Sequence, residues 1–180
     1  MKIIEGNLIT AMLHGEYDVA LQGCNCQCIQ GAGLAAQMVK YFATDSSIHF
    51  TMESSASGWC KNINKLGCID YAEYYVNGDR AIFVSPKTKG RRDEPLVTIV
   101  NCYTQTYPGI PNKKYGIPLD YDALTLCLRK INSKFAGKSV ALPYLIGCGL
   151  AGGNEKQVLQ IIEEELIDVD VTIIELPQRK

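Results

Sequence analysis

Seven short apolar runs are distributed along the chain, and several of them are continuous rather than alternating. Runs such as LVTIV and VTIIEL have no polar face, which is typical of strands that are covered on both sides of a sheet. We therefore predict a sheet with helices above and below it. The predicted strands span residues 2–4, 17–22, 66–76, 81–85, 96–103, 139–142 and 169–176.

Helical periodicity marks three segments that alternate with these strands. Polar residues suited to cap a helix start two of the segments, namely Asp120 and Asn154, and Gln157 stands at the capping-box position after Asn154. Gly137 closes the middle segment. Helices that alternate with strands predict an α/β sandwich. The three predicted helical segments are 31–42, 119–135 and 154–167.

Three connections between these elements carry their own signals. Asn77 and Gly78 predict a hairpin, because this dipeptide tolerates positive φ at both turn positions, and a hairpin makes the sheet mixed. The segment 44–64 is rich in Ser and Asn and predicts a short helix and loop. The segment 87–94 (KTKGRRDE) predicts an exposed, solvated turn, with a phosphate-facing loop as the alternative.

Length and charge limit the classes of protein that fit. The 180 residues, 47% of them hydrophobic, match one globular domain over 1–180. With 18 Lys and Arg against 19 Asp and Glu, the chain lacks the basic footprint that duplex nucleic acid requires. No apolar run reaches the ~20 residues that span a bilayer, and Glu5 and Gly6 interrupt the start before a signal peptide can form. We expect a cytoplasmic protein with no membrane partner.

The eight cysteines predict free thiols, most of them small core residues, because a reducing compartment disfavours disulfides. Cys24, Cys26 and Cys28 raise the alternative of a metal site. Structural zinc sites use wider spacing and a distant second pair, so we expect neither a metal nor another cofactor. The two histidines, His14 and His49, give no Ser-His-Asp or Cys-His constellation.

Two glycine-rich segments each join a predicted strand to a predicted helix. In the first, Gly31-x-Gly33-x-x-Ala36 matches the dinucleotide-binding fingerprint. About eight residues separate it from its strand instead of a tight turn, and only Glu53 represents the acid expected about 20 positions later. The pattern therefore favours an anion site at a helix start over a dehydrogenase-type site.

The second segment, PYLIGCGLAGGNEKQ, has four glycines between a strand and a well-capped helix. Such glycines make either tight turns or a phosphate or ribose cradle. Since both segments follow a strand and open a helix, we predict that they converge at the carboxyl edge of the sheet in one cleft for a diphosphate nucleotide. Asn7, after the first strand, is suited either to a base edge or to an Asx turn.

The order of these motifs resembles one known family. The series GNLI, NCQCIQGAGLAAQ, VNCYTQTYPG and YLIGCGLAGG is similar to the macrodomains, the ADP-ribose-binding family, over residues 2–176. It most resembles the branch of the yeast ADP-ribose-1''-phosphate phosphatase and compact bacterial and phage macrodomains. The resemblance implies a three-layer α/β/α sandwich with a mixed sheet, and ADP-ribose or ADP-ribose-1''-phosphate as ligand.

The resemblance also implies roles for individual residues. Asn7 would read the adenine amino group, Asn25 would face the distal ribose, and the two glycine loops would hold the phosphates. The implied ligand-binding residues are Asn7, Leu8, Gly31, Ala32, Gly33, Leu34, Tyr103, Gly147, Cys148, Gly149, Leu150, Ala151 and Gly152.

Three positions depart from the catalytic patterns of the family. Gln22 stands where the phosphatase branch has a His, Ala151 where one glycohydrolase branch has an Asp, and Gln105 or Thr106 near that branch's Lys. We therefore expect a slow, metal-independent ADP-ribose-1''-phosphate phosphatase in which Gln22 and Asn25 orient a water and loop amides hold the phosphate. The alternatives are a non-catalytic module that binds ADP-ribose or a NAD metabolite, and an ADP-ribosyl hydrolase that reverses ADP-ribosylation.

Overall fold

The computed structural model describes residues 1–44, 63–85, 87–90, 93–114 and 116–177. These residues form seven strands and four α-helices, and a 3₁₀ turn at Ile63–Lys65 precedes the third strand. In chain order the elements are β1 (Lys2–Glu5), α1 (Leu8–Leu13), β2 (Val19–Asn25), α2 (Gly33–Phe42), β3 (Ile69–Val76), β4 (Ala81–Phe83), β5 (Leu96–Gln105), α3 (Tyr121–Lys134), β6 (Ser139–Pro143), α4 (Glu155–Glu165) and β7 (Asp170–Glu175).

All seven strands belong to one sheet in the order β1-β7-β6-β2-β5-β3-β4. The first five neighbours run parallel, whereas β3 is antiparallel to both β5 and β4. The predicted mixed sheet is therefore confirmed. Because β1, β6, β2 and β5 are parallel, the segments that follow them all leave from the same edge.

Side chains along the central strands alternate between two separate cores. On β2, Val19 and Leu21 pack with the helices α3 and α4, whereas Ala20 packs with α1 and α2. On β6, Leu142 and Ala141 divide in the same way. The sheet is thus covered on both faces, and the predicted three-layer α/β/α sandwich is confirmed.

The predicted helix caps are present in the structure. Asp120 Oδ1 accepts the N–H of Ala123 at 2.8 Å, and Asn154 Oδ1 accepts that of Gln157 at 3.1 Å. Each bond satisfies one of the backbone donors that a helix start leaves open. The longest described helix has 14 residues, and none of the described helices is both long and apolar enough to cross a bilayer.

The sequence missed α1 and misjudged the hairpin turn. Five of the six residues of α1 are buried, so the segment lacks the polar face that makes a helical period visible. In the hairpin, Gly78 has a φ of +91° but Asn77 does not have a positive φ. Asn77 instead accepts the N–H groups of Asp79 and Arg80 in an Asx turn.

Two predicted connections are only partly described. The prediction of a short helix and loop over 44–64 lies mostly outside the described residues, which include only its two ends. In the segment 87–94, residues 87–90 form a turn. Its described residues do not line the cleft between the two glycine loops, whereas residues 91 and 92 lie outside the described ranges. The solvated turn and the phosphate-facing loop therefore both stay predictions for the segment as a whole.

Candidate functional site

The two glycine loops face one another across a cleft of about 530 Å³ at the carboxyl edge of the sheet. They follow β2 and β6, which are adjacent parallel strands, and this adjacency brings them together. The predicted convergence of the two loops is therefore present in the structure. The predicted residues that line the cleft are Gln22, Asn25, Gly31, Ala32, Gly33, Leu34, Gly147, Gly149, Leu150 and Ala151.

The first loop leaves its backbone open toward the cleft. A Cβ added at Gly31 or Gly33 would meet no heavy atom within 4 Å, and Gly33 has a φ of +57° that favours glycine. Gly33 is also the first residue of α2, and its N-cap, Ala32, makes no side-chain cap. The first-turn amides of α2 thus lack the side-chain acceptor that a polar N-cap supplies.

The missing cap separates α2 from the other described helices. The N-cap side chains of α1, α3 and α4 are Asn7, Asp120 and Asn154, and each accepts a first-turn N–H. Open amides combine with the positive end of the helix dipole, so the start of α2 favours a negatively charged group. Gly33 and Leu34 of this turn line the cleft, where such a group would lie.

Asn25 holds the first loop through both ends of its side-chain amide. Its Nδ2 donates to the carbonyl of Ile29 at 2.8 Å, and its Oδ1 accepts the N–H of Ile29 at 3.2 Å. The side chain is only 7% exposed. Asn25 therefore lines the cleft where we predicted a water-orienting residue, and in this structure it also shapes the loop backbone.

Gln22 belongs to a buried polar network behind the same loop. Its Nε2 donates to Asn101 Oδ1 at 2.6 Å and to Thr44 Oγ1 at 3.3 Å, and Thr44 donates to Gln30 Oε1 at 2.6 Å. The network thus ties the residue before Gly31 to two strands and to the end of α2. Gln22 Oε1 is buried and has no hydrogen-bond partner among the described residues.

Three glycines of the second loop are required by packing. A Cβ at Gly147 would lie 2.7 Å from Leu119 Cδ1, and one at Gly153 would lie 2.8 Å from the carbonyl oxygen of Gly147. A Cβ at Gly152 would overlap the ring of Pro111, and Gly152 also has a φ of +67°. Only Gly149 in this loop is open. The interpretation as tight, packed turns thus applies to Gly147, Gly152 and Gly153, whereas only Gly149 has the open space that a phosphate or ribose cradle requires.

Five predicted residues do not line the cleft, namely Asn7, Leu8, Tyr103, Cys148 and Gly152. Tyr103 is 2% exposed, and its O–H donates to Asp70 Oδ2 at 2.7 Å in a cluster beneath the first loop. Leu8 is a core residue between α1 and the sheet. Cys148 belongs to the second loop but does not line the cleft, and burial raises the pKa of its thiol.

Asn7 lies at the same edge of the sheet, at the end of β1, and does not line the cleft. Its Oδ1 accepts the N–H groups of Ile9 at 2.9 Å and Thr10 at 3.2 Å. With the oxygen engaged by two backbone donors, the group that remains for a ligand is the Nδ2 amide, a hydrogen-bond donor. The Asx arrangement and base recognition therefore use opposite ends of one side chain.

Titratable groups lie beneath the first loop. Burial raises the pKa of Asp70 to about 6. Lys65 is fully buried, donates to Cys28 Sγ at 3.1 Å and lies 4.9 Å from the centre of the Tyr103 ring. Burial also raises the pKa of Cys24 well above its usual value. Cys24 lines the cleft, but its thiol stays protonated at neutral pH and is a weak nucleophile.

The seven described cysteines are free thiols, and four of them are buried. Cys60 and His49 lie outside the described residues. Within the described ranges no group of three or more His, Cys, Asp or Glu is arranged to hold a metal ion. The chemistry of the cleft as described rests on backbone amides and neutral side chains.

The cleft also includes residues that the sequence did not identify as site residues. Ile29 and Gln30 extend the first loop, and residues 108–110 come from the segment after β5. The signal for that segment is the glycine and proline content of YPGIP, which indicates an irregular loop at the carboxyl end of a strand. Gln105 lines the cleft as well, next to Asn25 in the β2–β5 register.

Comparison with known proteins finds related chains and related structures, although none of the known protein-family models matches the chain. An uncharacterized 17.5 kDa protein of Enterobacteria phage T4 is 25% identical over 179 residues, covering 97% of this chain and 96% of that protein. A structure of a protein of unknown function from Bacteroides thetaiotaomicron is 25% identical with a TM-score of 0.64, covering 97% and 96%.

Solved macrodomains share the fold over nearly the whole chain. The macrodomain of Mycobacterium tuberculosis DarG is 21% identical with a TM-score of 0.59, covering 96% of both chains. This chain has the macrodomain fold. Thermosipho africanus DarTG, solved in complex with ADP-ribose, matches this macrodomain fold with 18% identity and a TM-score of 0.61, over 99% of this chain and 42% of that one.

Proposed function

We propose that the cleft binds ADP-ribose. The observation that carries this proposal is the uncapped start of α2, which presents open amides beside Gly31 and Gly33 in a cleft of about 530 Å³. A diphosphate is the anion that this arrangement suits, because it needs several donors and little side-chain bulk. The complex of T. africanus DarTG with ADP-ribose supports the same ligand for this fold.

The strand order supports one orientation of the ligand. Asn7 follows the edge strand β1, and the diphosphate loops follow β6 and β2 nearer the centre. From β1 to β5 the edge extends over four strand spacings, about 19 Å. The base would therefore lie near Asn7 and the distal ribose near the loop after β5. Asn7 would donate from Nδ2 to a ring nitrogen of adenine, since its oxygen is engaged.

The cleft would hold the diphosphate without opposite charges. Its described lining contains no Asp, Glu, Lys, Arg or His side chain. Binding through neutral amides releases few counterions, so the affinity should depend only weakly on salt. This weak salt dependence distinguishes the proposed mode from one that relies on basic side chains.

Calorimetry with ADP-ribose tests the proposal directly. We expect micromolar binding by the wild-type protein and a loss of about 100-fold or more in Gly31→Glu, which brings a carboxylate to the diphosphate site. Gln157→Glu is the matched control, because it adds the same charge on α4, outside the cleft. Absence of wild-type binding, or equal losses in the two variants, would refute the proposal.

A second candidate is slow, metal-independent hydrolysis of ADP-ribose-1''-phosphate. The observation that favours it is the position of Gln22 in the cleft lining, with an Oε1 that accepts no hydrogen bond from the described residues. This oxygen is buried, so the side chain would have to turn toward the cleft to orient a water toward the phosphorus. Attack by water would break the bond between phosphorus and the oxygen on the distal ribose. The products would be ADP-ribose and phosphate. One proton of the water would pass, through a phosphate oxygen, to the departing ribose oxygen, and the other would remain on the phosphate.

Asn25 would contribute to that reaction through the shape of the first loop, since both ends of its amide bind Ile29. Phosphate release from the substrate in the presence of EDTA, compared between wild type and Gln22→Leu, tests the role of Gln22. Binding of ADP-ribose without phosphate release would leave the non-catalytic module as the function. The ADP-ribosyl hydrolase alternative lacks support at Ala151 and Gln105, where the cleft offers no acid or base.

A further inference from the structure

A second cavity of about 660 Å³ lies within the loop that follows β5. The loop leaves the sheet after Gln105 and returns at Leu119, where the two residues pair in an isolated bridge. Loops of this length with adjacent ends usually fill their interior with their own side chains. The described side chains of this loop leave the cavity open, and Tyr107 and Ile110 of its lining are 67% and 63% exposed.

Contacts with the second glycine loop hold this cavity in shape. Pro111 packs against Gly152, and Leu119 packs against Gly147 and Gly153 so closely that no Cβ fits at those positions. The tip of the loop is closed by reciprocal backbone hydrogen bonds between Asn112 and Gly116, at 2.8 and 3.0 Å. The loop is therefore anchored at its base, along its side and at its tip. Because the loop is already held in place, it loses little conformational entropy when a ligand enters the cavity.

The cavity adjoins the proposed ADP-ribose cleft. Pro108, Gly109 and Ile110 line both. The loop follows β5, at the end of the row of strands where the proposed orientation of the ligand puts the distal ribose. A substituent on the anomeric carbon of that ribose would extend from the cleft into the cavity.

The lining of the cavity combines flat apolar surfaces with one carboxylate. Tyr107, Pro108, Ile117 and Pro118 supply the apolar part. Asp120 is the single charged side chain in the described lining of either space. Its Oδ1 caps α3, and Oδ2 receives no hydrogen bond from the described residues.

An aromatic ring near a carboxylate is the combination that a planar cation prefers, since the ring face and the carboxylate both attract positive charge. Phosphate alone, or a second anion, would be repelled by Asp120. The chemistry of the cavity is thus opposite in sign to that of the glycine cleft beside it.

We propose that this cavity binds a planar, positively charged group attached to the distal ribose of ADP-ribose. This inference rests on the proposed function of the neighbouring cleft. Two sources supply such a group: the nicotinamide ring of NAD⁺, and the guanidinium of an ADP-ribosylated arginine. Both are delocalised cations joined to the same carbon, and they differ in what lies beyond the cation.

The test compares ligands that differ in this group. Calorimetry would use ADP-ribose, NAD⁺, NADH and a short peptide with an ADP-ribosylated arginine, on the wild type and on Asp120→Asn. Asparagine caps a helix as well as aspartate does, so this variant removes the charge and retains the cap of α3. NADH is the matched control for NAD⁺, because reduction removes the positive charge of the ring.

We expect Asp120→Asn to weaken binding of at least one of the two cationic ligands about fivefold or more, with ADP-ribose and NADH changed less than twofold. The cationic ligand that responds identifies the source. ADP-ribose binding with no response of either cation would overturn this inference and leave the proposed function intact. Failure of ADP-ribose, NAD⁺ and the peptide alike to bind would overturn both. An equal loss for all four ligands would indicate a structural role of Asp120 and also overturn it.

Discussion

The two glycine loops of this protein have the same sequence pattern and opposite surroundings. The first, before α2, has two glycines that contact nothing and a helix start without a side-chain cap. The second, before α4, has three glycines pressed against Leu119, Pro111 or its own backbone, and a helix capped by Asn154. The first loop is open where an anion would lie, and the second is filled by packing at every glycine except Gly149.

The means by which each loop is held differ in the same way. Hydrogen bonds from Asn25, Gln22 and Thr44 fix the first loop from behind, so its front stays clear. Apolar contacts with Leu119 and Pro111 fix the second, and these occupy the space beside its glycines. A glycine after a strand therefore indicates a ligand site only where nothing else fills the missing side chain.

The largest effect is expected in the packed loop. Gly152→Ala introduces a Cβ into the Pro111 ring at a φ of +67°. Overpacking and left-handed strain together should lower the free energy of unfolding by about 2–5 kcal/mol. Urea denaturation measures this. Gly149→Ala, in the same loop but open and without a positive φ, is the control and should change stability by less than about 0.5 kcal/mol. Equal effects of the two variants would contradict the division of this loop.

The second prediction concerns the floor of the first loop. The pKa of Asp70 is raised to about 6 by burial, so the folded protein binds a proton more tightly than the unfolded chain does. Protonated Asp70 therefore contributes roughly 3 kcal/mol to the free energy of unfolding below pH 4. This contribution is lost as the pH rises to about 6. Asp70→Asn keeps an acceptor for the Tyr103 hydroxyl but does not titrate.

Denaturation of both proteins between pH 4 and pH 7 tests this sign. The stability of the wild type relative to Asp70→Asn should fall across that interval. A rise, or a constant difference, would show that Asp70 is ionised at little cost, despite its burial among Cys24, Lys65 and Tyr103.

The third prediction tests whether polar contacts hold the open loop. Thr44→Val preserves shape but removes the hydroxyl that joins Gln22 to Gln30. Unpaired buried groups should lower the free energy of unfolding by about 1–3 kcal/mol. ADP-ribose affinity should fall as well, because Gln30 precedes Gly31. Thr44→Ser restores the hydroxyl and should recover the affinity for ADP-ribose. If Thr44→Ser does not recover the affinity, the polar network does not determine the shape of the first loop.

The smallest effect concerns the open glycine itself. Gly31→Ala adds a methyl group that meets no protein atom, so thermal unfolding should match the wild type. The methyl would enter the proposed diphosphate site and weaken ADP-ribose binding about tenfold, or about 1.4 kcal/mol. A variant that loses stability but keeps its affinity would reverse the roles assigned to the two loops.

Local sequence patterns were sufficient to predict the three layers of the sandwich and the N-caps of two of its helices. Continuous apolar strands required cover on both faces, and Asp120 and Asn154 cap the helices where the sequence placed them. The helix α1 escaped detection because its residues are buried nearly all round. Tyr103 was assigned to the ligand by motif, and its burial beside Asp70 depends on a neighbouring strand.

The sequence by itself determined the alternation of strands and helices, the mixed sheet and the two glycine loops, because these follow from periodicity and backbone freedom within a few residues. Only the tertiary structure decided which glycines are open. Leu119 and Pro111 are far along the chain from the glycines they cover, and they arrive there because the loop after β5 folds back onto the segment after β6. A sequence shows where a side chain is missing, and the fold determines whether a ligand or another part of the chain takes its place.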